Sequence, residues 1–358
     1  MDAGVSGWVH HLVVDASLKY CNCYASRPFY RLVCLMCFAF CVLFFVFSTQ
    51  QQSTSGHLQK HEAIRRTLSL HEPTGPHLDA TDLTVKPFGF EIKLQPSARG
   101  TFKSCHKTDL LIVVCSAVQH SDRRMAIRET WGSAEALAPL NAAVVFALGS
   151  RPAGEEAVHV EAEQFGDILQ GDFEDTYMNL TLKSTMLLKY VSGACGDGKK
   201  APRFVMKTDD DIFVNVPLLV AVLKKNYKEA EKVITGCAKQ KTAPKGISMD
   251  GRTAPSLLPD FVAGAGYVMS GPLVTELYAA ARRVRKPLKM EDIFVTAQCA
   301  QLVPGAHPPR HDPRFSCGGI IKDDCELVSL FTGHHITPQR QSAIWDKFTS
   351  DPNPCMDF

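Results

Sequence analysis

The chain lacks a charge bias: 39 lysines and arginines stand against 37 aspartates and glutamates, a formal net charge of +2. Nothing global therefore recommends nucleic acid or a strongly acidic partner, and either would need a local patch. Internal repeats and heptads are also missing, which removes solenoids and coiled coils. The low hydrophobicity that marks disorder is absent too. Of 358 residues 45% are hydrophobic, enough to bury a substantial core in one large or two ordinary domains.

One long apolar run is present. Residues 32–47 read LVCLMCFAFCVLFFVF with no polar face, entered past Arg27 and Arg31 and left through polar residues 48–52. No small-residue cut site follows Phe47, which tells against a cleaved signal peptide. Extended to 29–49, with Arg31 snorkelling to the headgroups, the segment approaches the ~20 residues a bilayer requires. The expectation is a single uncleaved anchor at 29–49 behind a cytosolic tail at 1–28. Lys19, Arg27 and Arg31 lie closer to the run than Lys60, Arg65 and Arg66 do, which favours that orientation.

Beyond the run stand Cys105, Cys115, Cys195, Cys237, Cys299, Cys317, Cys325 and Cys355, and the glycosylation sequon Asn179-Leu180-Thr181. Both agree with a secretory lumen. Cys115 lies within a strand-like run, where a buried free thiol is plausible. Residues 50–107 are rich in polar residues and punctuated by Pro73, Pro76, Pro87 and Pro96, and read as an extended stem. Within it Phe88-Gly89-Phe90-Glu91-Ile92 could pair with the edge of a following sheet.

Order is expected over 108–358. Apolar strand-length runs at 110–117, 142–148, 168–169 and 203–206 alternate with helical patterns at 121–131, 155–165 and 176–191. That alternation implies an α/β domain with a mostly parallel sheet covered on both faces. Past Asp211, frequent proline and glycine suggest loops and mixed strands facing a second substrate.

Three adjacent carboxylates, Asp209, Asp210 and Asp211, follow the run at 203–206. Ligands gather at the carboxyl ends of strands in open α/β sheets, and hard oxygen donors suit a divalent cation bridging phosphate oxygens. In extended backbone Asp209 and Asp211 point one way and Asp210 the other, and a solvated acidic turn is the plain alternative. Arg124 and Arg128 share one face near a helix start, where anions bind; a solvated basic face paired with Asp122 and Glu129 reads equally well. Gly264, Gly266 and Tyr267 suggest a loop against which a sugar packs and stacks, or a tight turn before the Pro272 helix. Glu291 and Asp292 open an apolar helix, either as caps or as a general base. His334 and His335 are surface histidines or metal ligands.

In this order the segments resemble the β1,3-glycosyltransferase family that includes the β1,3-galactosyltransferases and β1,3-N-acetylglucosaminyltransferases. The likeness covers 109–345, about two thirds of the chain. It runs through Arg123-Arg124-x-Ala126-Ile127-Arg128-x-Thr130-Trp131-Gly132 and Asp172-Phe173-x-Asp175-x-Tyr177-x-Asn179-Leu180-Thr181-x-Lys183. It continues through Lys207-Thr208-Asp209-Asp210-Asp211, Gly264-x-Gly266-Tyr267 and Glu291-Asp292-Ile293-Phe294-Val295.

The resemblance implies a GT-A-like nucleotide-sugar-binding mixed sheet flanked by helices, preceded by the transmembrane helix and stem, in a type II Golgi membrane protein. It implies inverting, Mn²⁺-dependent transfer from a UDP-sugar, galactose first, to the 3-hydroxyl of a glycoprotein or glycolipid glycan. Asp211 and His334 would hold the metal, Asp209 and Asp210 the nucleoside and sugar side, and Asp292 would take the acceptor proton. Arg124, Arg128 and Lys183 look like donor-side residues, and Glu291 joins the loop at Gly264, Gly266 and Tyr267. Many family members carry a cysteine where this chain has Val262, which puts the disulfide expected there in doubt. Transfer of N-acetylglucosamine or N-acetylgalactosamine is the nearest alternative. A non-catalytic Golgi sugar-binding partner would not need these acids, and a metal-dependent nucleotide hydrolase would have no use for the glycine-rich segment.

Overall fold

The computed structural model describes residues 89–98, 104–195, 201–227, 232–240, 259–285, 287–321, 323–350 and 355. Two compact units divide the chain, Met1–Asp82 and Leu83–Phe358, and every described residue belongs to the second. The expected anchor at 29–49 lies outside the described residues, as do the tail and most of the stem. Among the described residues no helix is long and apolar enough to cross a membrane.

Among the described residues ten strands and six principal helices build the unit. In chain order they are β1 (Ile92–Leu94), β2 (Leu110–Cys115), α1 (Ser121–Glu129), β3 (Ala142–Ser150), α2 (Glu155–Phe165), β4 (Ile168–Glu174) and α3 (Leu180–Ala194). Then follow β5 (Phe204–Asp209), β6 (Phe213–Val214), α4 (Val216–Asn226), β7 (Ile234–Lys239), β8 (Phe261–Ser270), α5 (Gly271–Ala281), β9 (Arg310–His311), β10 (Thr332–Gly333) and α6 (Pro338–Ser350).

Eight strands form one mixed sheet in the order β1-β4-β3-β2-β5-β8-β7-β9. The contiguous four from β4 to β5 are parallel, and β8 lies antiparallel to both β5 and β7. The parallel strands are apolar along their length because helices cover both faces; all six residues of β2 are buried. Two clusters of buried side chains result. One holds Leu111, Val113, Met186 and Val205 under α3 and α5, the other Ile112, Phe146, Met206 and Trp131.

The expected alternation holds, with four physical differences. The strand at 168–169 continues to Glu174, and the helix expected from 176 opens with a short 3-10 turn, Tyr177–Asn179. Asp209 is still within β5, so only Asp210 and Asp211 lie in the turn beyond it. The stretch containing Gly264 and Gly266 is no loop: Phe261–Ser270 is an interior strand, where glycine admits close neighbours instead of bending the chain.

The sheet edge extends into the stretch read as stem. Ile92 and Leu94 pair antiparallel with Gly171 and Gln170, and the buried Phe90 ring meets Phe173 edge-on at 5.5 Å. Disulfides join Cys105 to Cys195, Cys237 to Cys317 and Cys325 to Cys355, while Cys115 and Cys299 are free and buried. Cys299 shares its apolar cluster with Val262, the position that departs from the family's usual cysteine.

Candidate active site

The parallel register brings the carboxyl ends of β2 and β5 together, with Cys115 opposite Asp209. Alternation along β5 puts Lys207 and Asp209 on one side. Lys207 is 1% exposed, and its ammonium contacts Asp209 Oδ1 at 2.8 Å, Glu291 Oε1 at 2.7 Å and the Gly264 carbonyl at 2.7 Å. Burial alone would depress this ammonium; Asp209 and Glu291 outweigh it and hold the group well above its ordinary range.

Glu291 is buried and fully engaged. Its Oε2 accepts from the Ser184 hydroxyl at 2.8 Å and the Tyr267 hydroxyl at 3.2 Å. Tyr267 is 1% exposed, which corrects its reading as a sugar-stacking face: the ring is core, and its hydroxyl orients a carboxylate. Gly264 earns its place by proximity, since a Cβ there would stand 3.1 Å from Glu291 Oε1 and 3.5 Å from Asp292 Oδ2. Gly266 likewise fits between Met206 and Thr332.

Asp292 is only partly covered, and its Oδ1 accepts from the Ile293 backbone N–H at 2.9 Å. Burial, then the neighbouring Glu291 charge, pushes this carboxyl up to about 6, against the Ile293 bond and Lys207. A carboxylate poised there can accept a proton near neutrality. Burial also raises Asp209 to about 6 despite Lys207. The helix after Asp292 has a π turn at Phe294–Cys299, a form that recurs near functional sites.

Asp210 turns the other way, as strand alternation anticipates. It is buried and accepts from Ser116 Oγ at 2.8 Å and Arg123 at 3.0 Å, with His120 Nδ1 at 2.8 Å. Asp211 faces two imidazoles, His334 Nε2 at 3.7 Å and His335 Nδ1 at 3.6 Å, which stack on each other. One donor atom from each of the three lies within 4.8 Å of the others. Burial keeps His334 below its usual range, which favours the neutral, ligating form.

The basic residues expected on the donor side are otherwise occupied. Arg124 is wholly buried, clamped on Glu161 at 2.8 and 2.6 Å, and donates to Ser116 Oγ at 3.1 Å. Arg128 forks onto Asp167 with both bonds at 2.8 Å and lies over the Phe165 ring at 4.1 Å. Lys183 pairs with Asp175 at 2.6 Å and donates to the Ser116 carbonyl. All three charged side chains are buried. Arg124 and Lys183 hold the loop after β2 that carries Ser116 to Asp210, while Arg128 ties α1 to Asp167 just before β4. Sequence reasoning assigned no role to Lys207, Arg123, His120 or Ser116; the position of Lys207 two residues before Asp209 was the available signal.

Asn179 is partly exposed at the start of α3, its amide donating to the Glu174 carbonyl at 2.8 Å. Thr181 is buried and donates to the Leu288 and Lys289 carbonyls at 3.1 and 2.9 Å.

The described site thus places Asp211 beside two imidazoles and, through Asp209, Lys207 and Glu291, sets Asp292 in the same neighbourhood. A family profile described as Galactosyltransferase matches residues 122–307. Beta-1,3-galactosyltransferase 1 of Homo sapiens and of Mus musculus is 30% identical over 276 residues, covering 74% of this chain and 81% of each relative. Beta-1,3-galactosyltransferase 5 of Pan troglodytes is 31% identical over 251 residues, 67% of this chain and 82% of the relative. A solved glycosyltransferase involved in glycosylation of the major capsid of PBCV-1 aligns with 65% of this chain and 98% of its own at 9% identity. Its TM-score of 0.34 is too low to bear on the fold. The chain belongs to the galactosyltransferase family. It is a hexosyltransferase.

Proposed function

We propose that this protein transfers galactose from UDP-galactose to the 3-hydroxyl of an acceptor sugar on a glycoprotein or glycolipid, with inversion to a β linkage. The observation that carries this reading is that one buried ammonium links the two groups of candidate residues: Lys207 touches Asp209, next in chain to Asp210 and Asp211, and Glu291, next to Asp292. Diphosphate and acceptor chemistry need that adjacency.

Asp292 accepts the acceptor's hydroxyl proton as its oxygen bonds to the anomeric carbon. The bond from that carbon to the diphosphate oxygen breaks with its electron pair going to UDP, and the proton on Asp292 later passes to solvent. One essential base suffices, unlike the paired carboxyls of glycosidases. Asp211 and His334, with His335 adjacent, offer an oxygen and two nitrogens that fit a divalent first-row cation, Mn²⁺ by family pattern. Bound there, the ion would offset charge on the departing diphosphate. Asp209 and Asp210 serve the nucleoside and sugar side, Asp209 from its pair with Lys207 and Asp210 through the Ser116 loop.

The compartment belongs to the same proposal: a single-pass type II protein of the Golgi membrane with this domain in the lumen. The three disulfides and the partly exposed Asn179 sequon support it. Full-length protein in detergent, given Mn²⁺, simple acceptors and each UDP-sugar in turn, tests the activity. Transfer of N-acetylglucosamine or N-acetylgalactosamine in place of galactose would replace the donor assignment, and absence of any transfer would defeat the catalytic reading.

A further inference from the structure

Lys207 is a buried cation that neither takes the proton nor holds the metal in the chemistry above. Lys207 Nζ makes three contacts, all with groups bordering the cleft: Asp209, Glu291 and the Gly264 carbonyl. Gly264 in turn abuts both Glu291 and Asp292, and its backbone N–H faces the Asp292 carboxylate. An isolated buried ammonium is costly, and only paired carboxylates make it tenable. A strand interior of this kind would be served more simply by an apolar side chain.

We propose that Lys207 is a positioning residue, one that fixes Glu291 beneath Gly264 and governs how readily Asp292 accepts the acceptor's proton. The inference rests on Asp292 as the base. Glu291, the adjacent carboxylate, disfavours ionisation of Asp292, and Lys207 offsets that repulsion. Other groups facing this cluster are Asp209 on β5, Tyr267 on β8, Ser184 on α3, the Cys115 thiol at the end of β2 and, beyond Asp209, Asp211 and His334. Tyr267 and Ser184 donate to Glu291 and steady it without changing the charge count. Lys207 thereby ties the donor half of the site to the acceptor half through one rigid ion cluster, and its charge acts on a reaction it never touches.

The test is the pH profile of kcat/KM in three full-length variants beside wild type. Lys207→Gln keeps an amide to reach the Gly264 carbonyl but removes the cation; the acid limb should move to higher pH by about one unit or more. Glu291→Gln removes the repelling charge, and the limb should move to lower pH. In Lys207→Gln/Glu291→Gln it should fall between the single variants. Should Lys207→Gln alone not fold, the double variant compared with Glu291→Gln asks the same question where one buried carboxylate is already neutral. A limb that stays put, or moves down, when Lys207 is removed overturns the proposal. Asp292→Asn separates the two readings: high retained turnover defeats the base assignment, whereas an inactive Asn variant with an unmoved limb in the Lys207 variants defeats only the positioning role.

Discussion

Thr181 Oγ1 donates to the Lys289 carbonyl at 2.9 Å, joining residues 108 positions apart. The threonine that completes a glycosylation sequon thus also anchors the segment that leads into Glu291 and Asp292. Two substitutions that abolish the sequon equally should therefore differ. Asn179→Gln should remove a glycan, seen as a lost glycosidase-dependent mobility shift in secretory cells, and leave turnover near wild type. Thr181→Val should remove the same glycan and lower kcat several-fold, because the Glu291 turn loses its tether. Equal kinetics for the two would show that the anchor does not matter.

Asp292→Asn preserves shape and helix-start geometry but cannot take a proton. Turnover should fall by about 10²–10⁴-fold, with UDP-sugar affinity unchanged in a calorimetric titration.

The same residue links activity and stability with opposite signs. Its folded value of about 6 exceeds the ordinary 3.8, so between these the native chain keeps a proton that the unfolded chain has released. Its contribution to stability is present at low pH and fades as pH rises through about 6, whereas kcat/KM should rise over that interval. Thermal melts from pH 4 to 8 should show Asp292→Asn gaining on wild type toward the alkaline end. A constant difference between the two across the range would contradict the shift.

Chelation of divalent metal should abolish transfer, and added Mn²⁺ should restore it. Asp211→Ala and His334→Ala should each weaken Mn²⁺ binding, read by paramagnetic resonance, with melting temperatures close to wild type. His335→Ala is the discriminating variant: a loss equal to that of His334→Ala would make both imidazoles ligands.

Arg128→Ala should act on the fold. Removing the guanidinium leaves Asp167 buried without its partner and strips the Phe165 contact, a loss of about 3–5 kcal/mol in denaturant melts. The KM for donor should change little in protein that remains folded. A large KM effect at unchanged stability would return Arg128 to the donor site.

The parallel half of the sheet was legible because its strands are covered on both faces and read as unbroken apolar runs. Asp211, His334 and Asp292 stood out as candidates in the sequence, since short runs of acids and paired imidazoles are conspicuous locally. Arg124, Arg128 and Lys183 misled because the carboxylates that absorb them, Glu161, Asp167 and Asp175, come from other elements. Gly264 and Gly266 looked like a turn for a related reason. The atoms demanding the missing Cβ at Gly264 belong to Glu291 and Asp292, distant in sequence. Lys207 was hidden by its strand: a single cation in a buried run shows its purpose only when Glu291, 84 positions later, folds onto it.

The edge strand β1 bears on where the domain could be cut free of the proposed membrane anchor. Glu91 donates its backbone N–H to Asp172 Oδ1 at 2.8 Å and accepts from the Asp172 N–H at 3.0 Å, while Phe90 covers Phe173. A protease cutting after Leu94 would strip β4 of its outer partner and bare an aromatic ring on an adhesive sheet margin. A secreted form that stays soluble has to be cut upstream of Phe90, so that the last span of tether leaves with the enzyme as its selvedge.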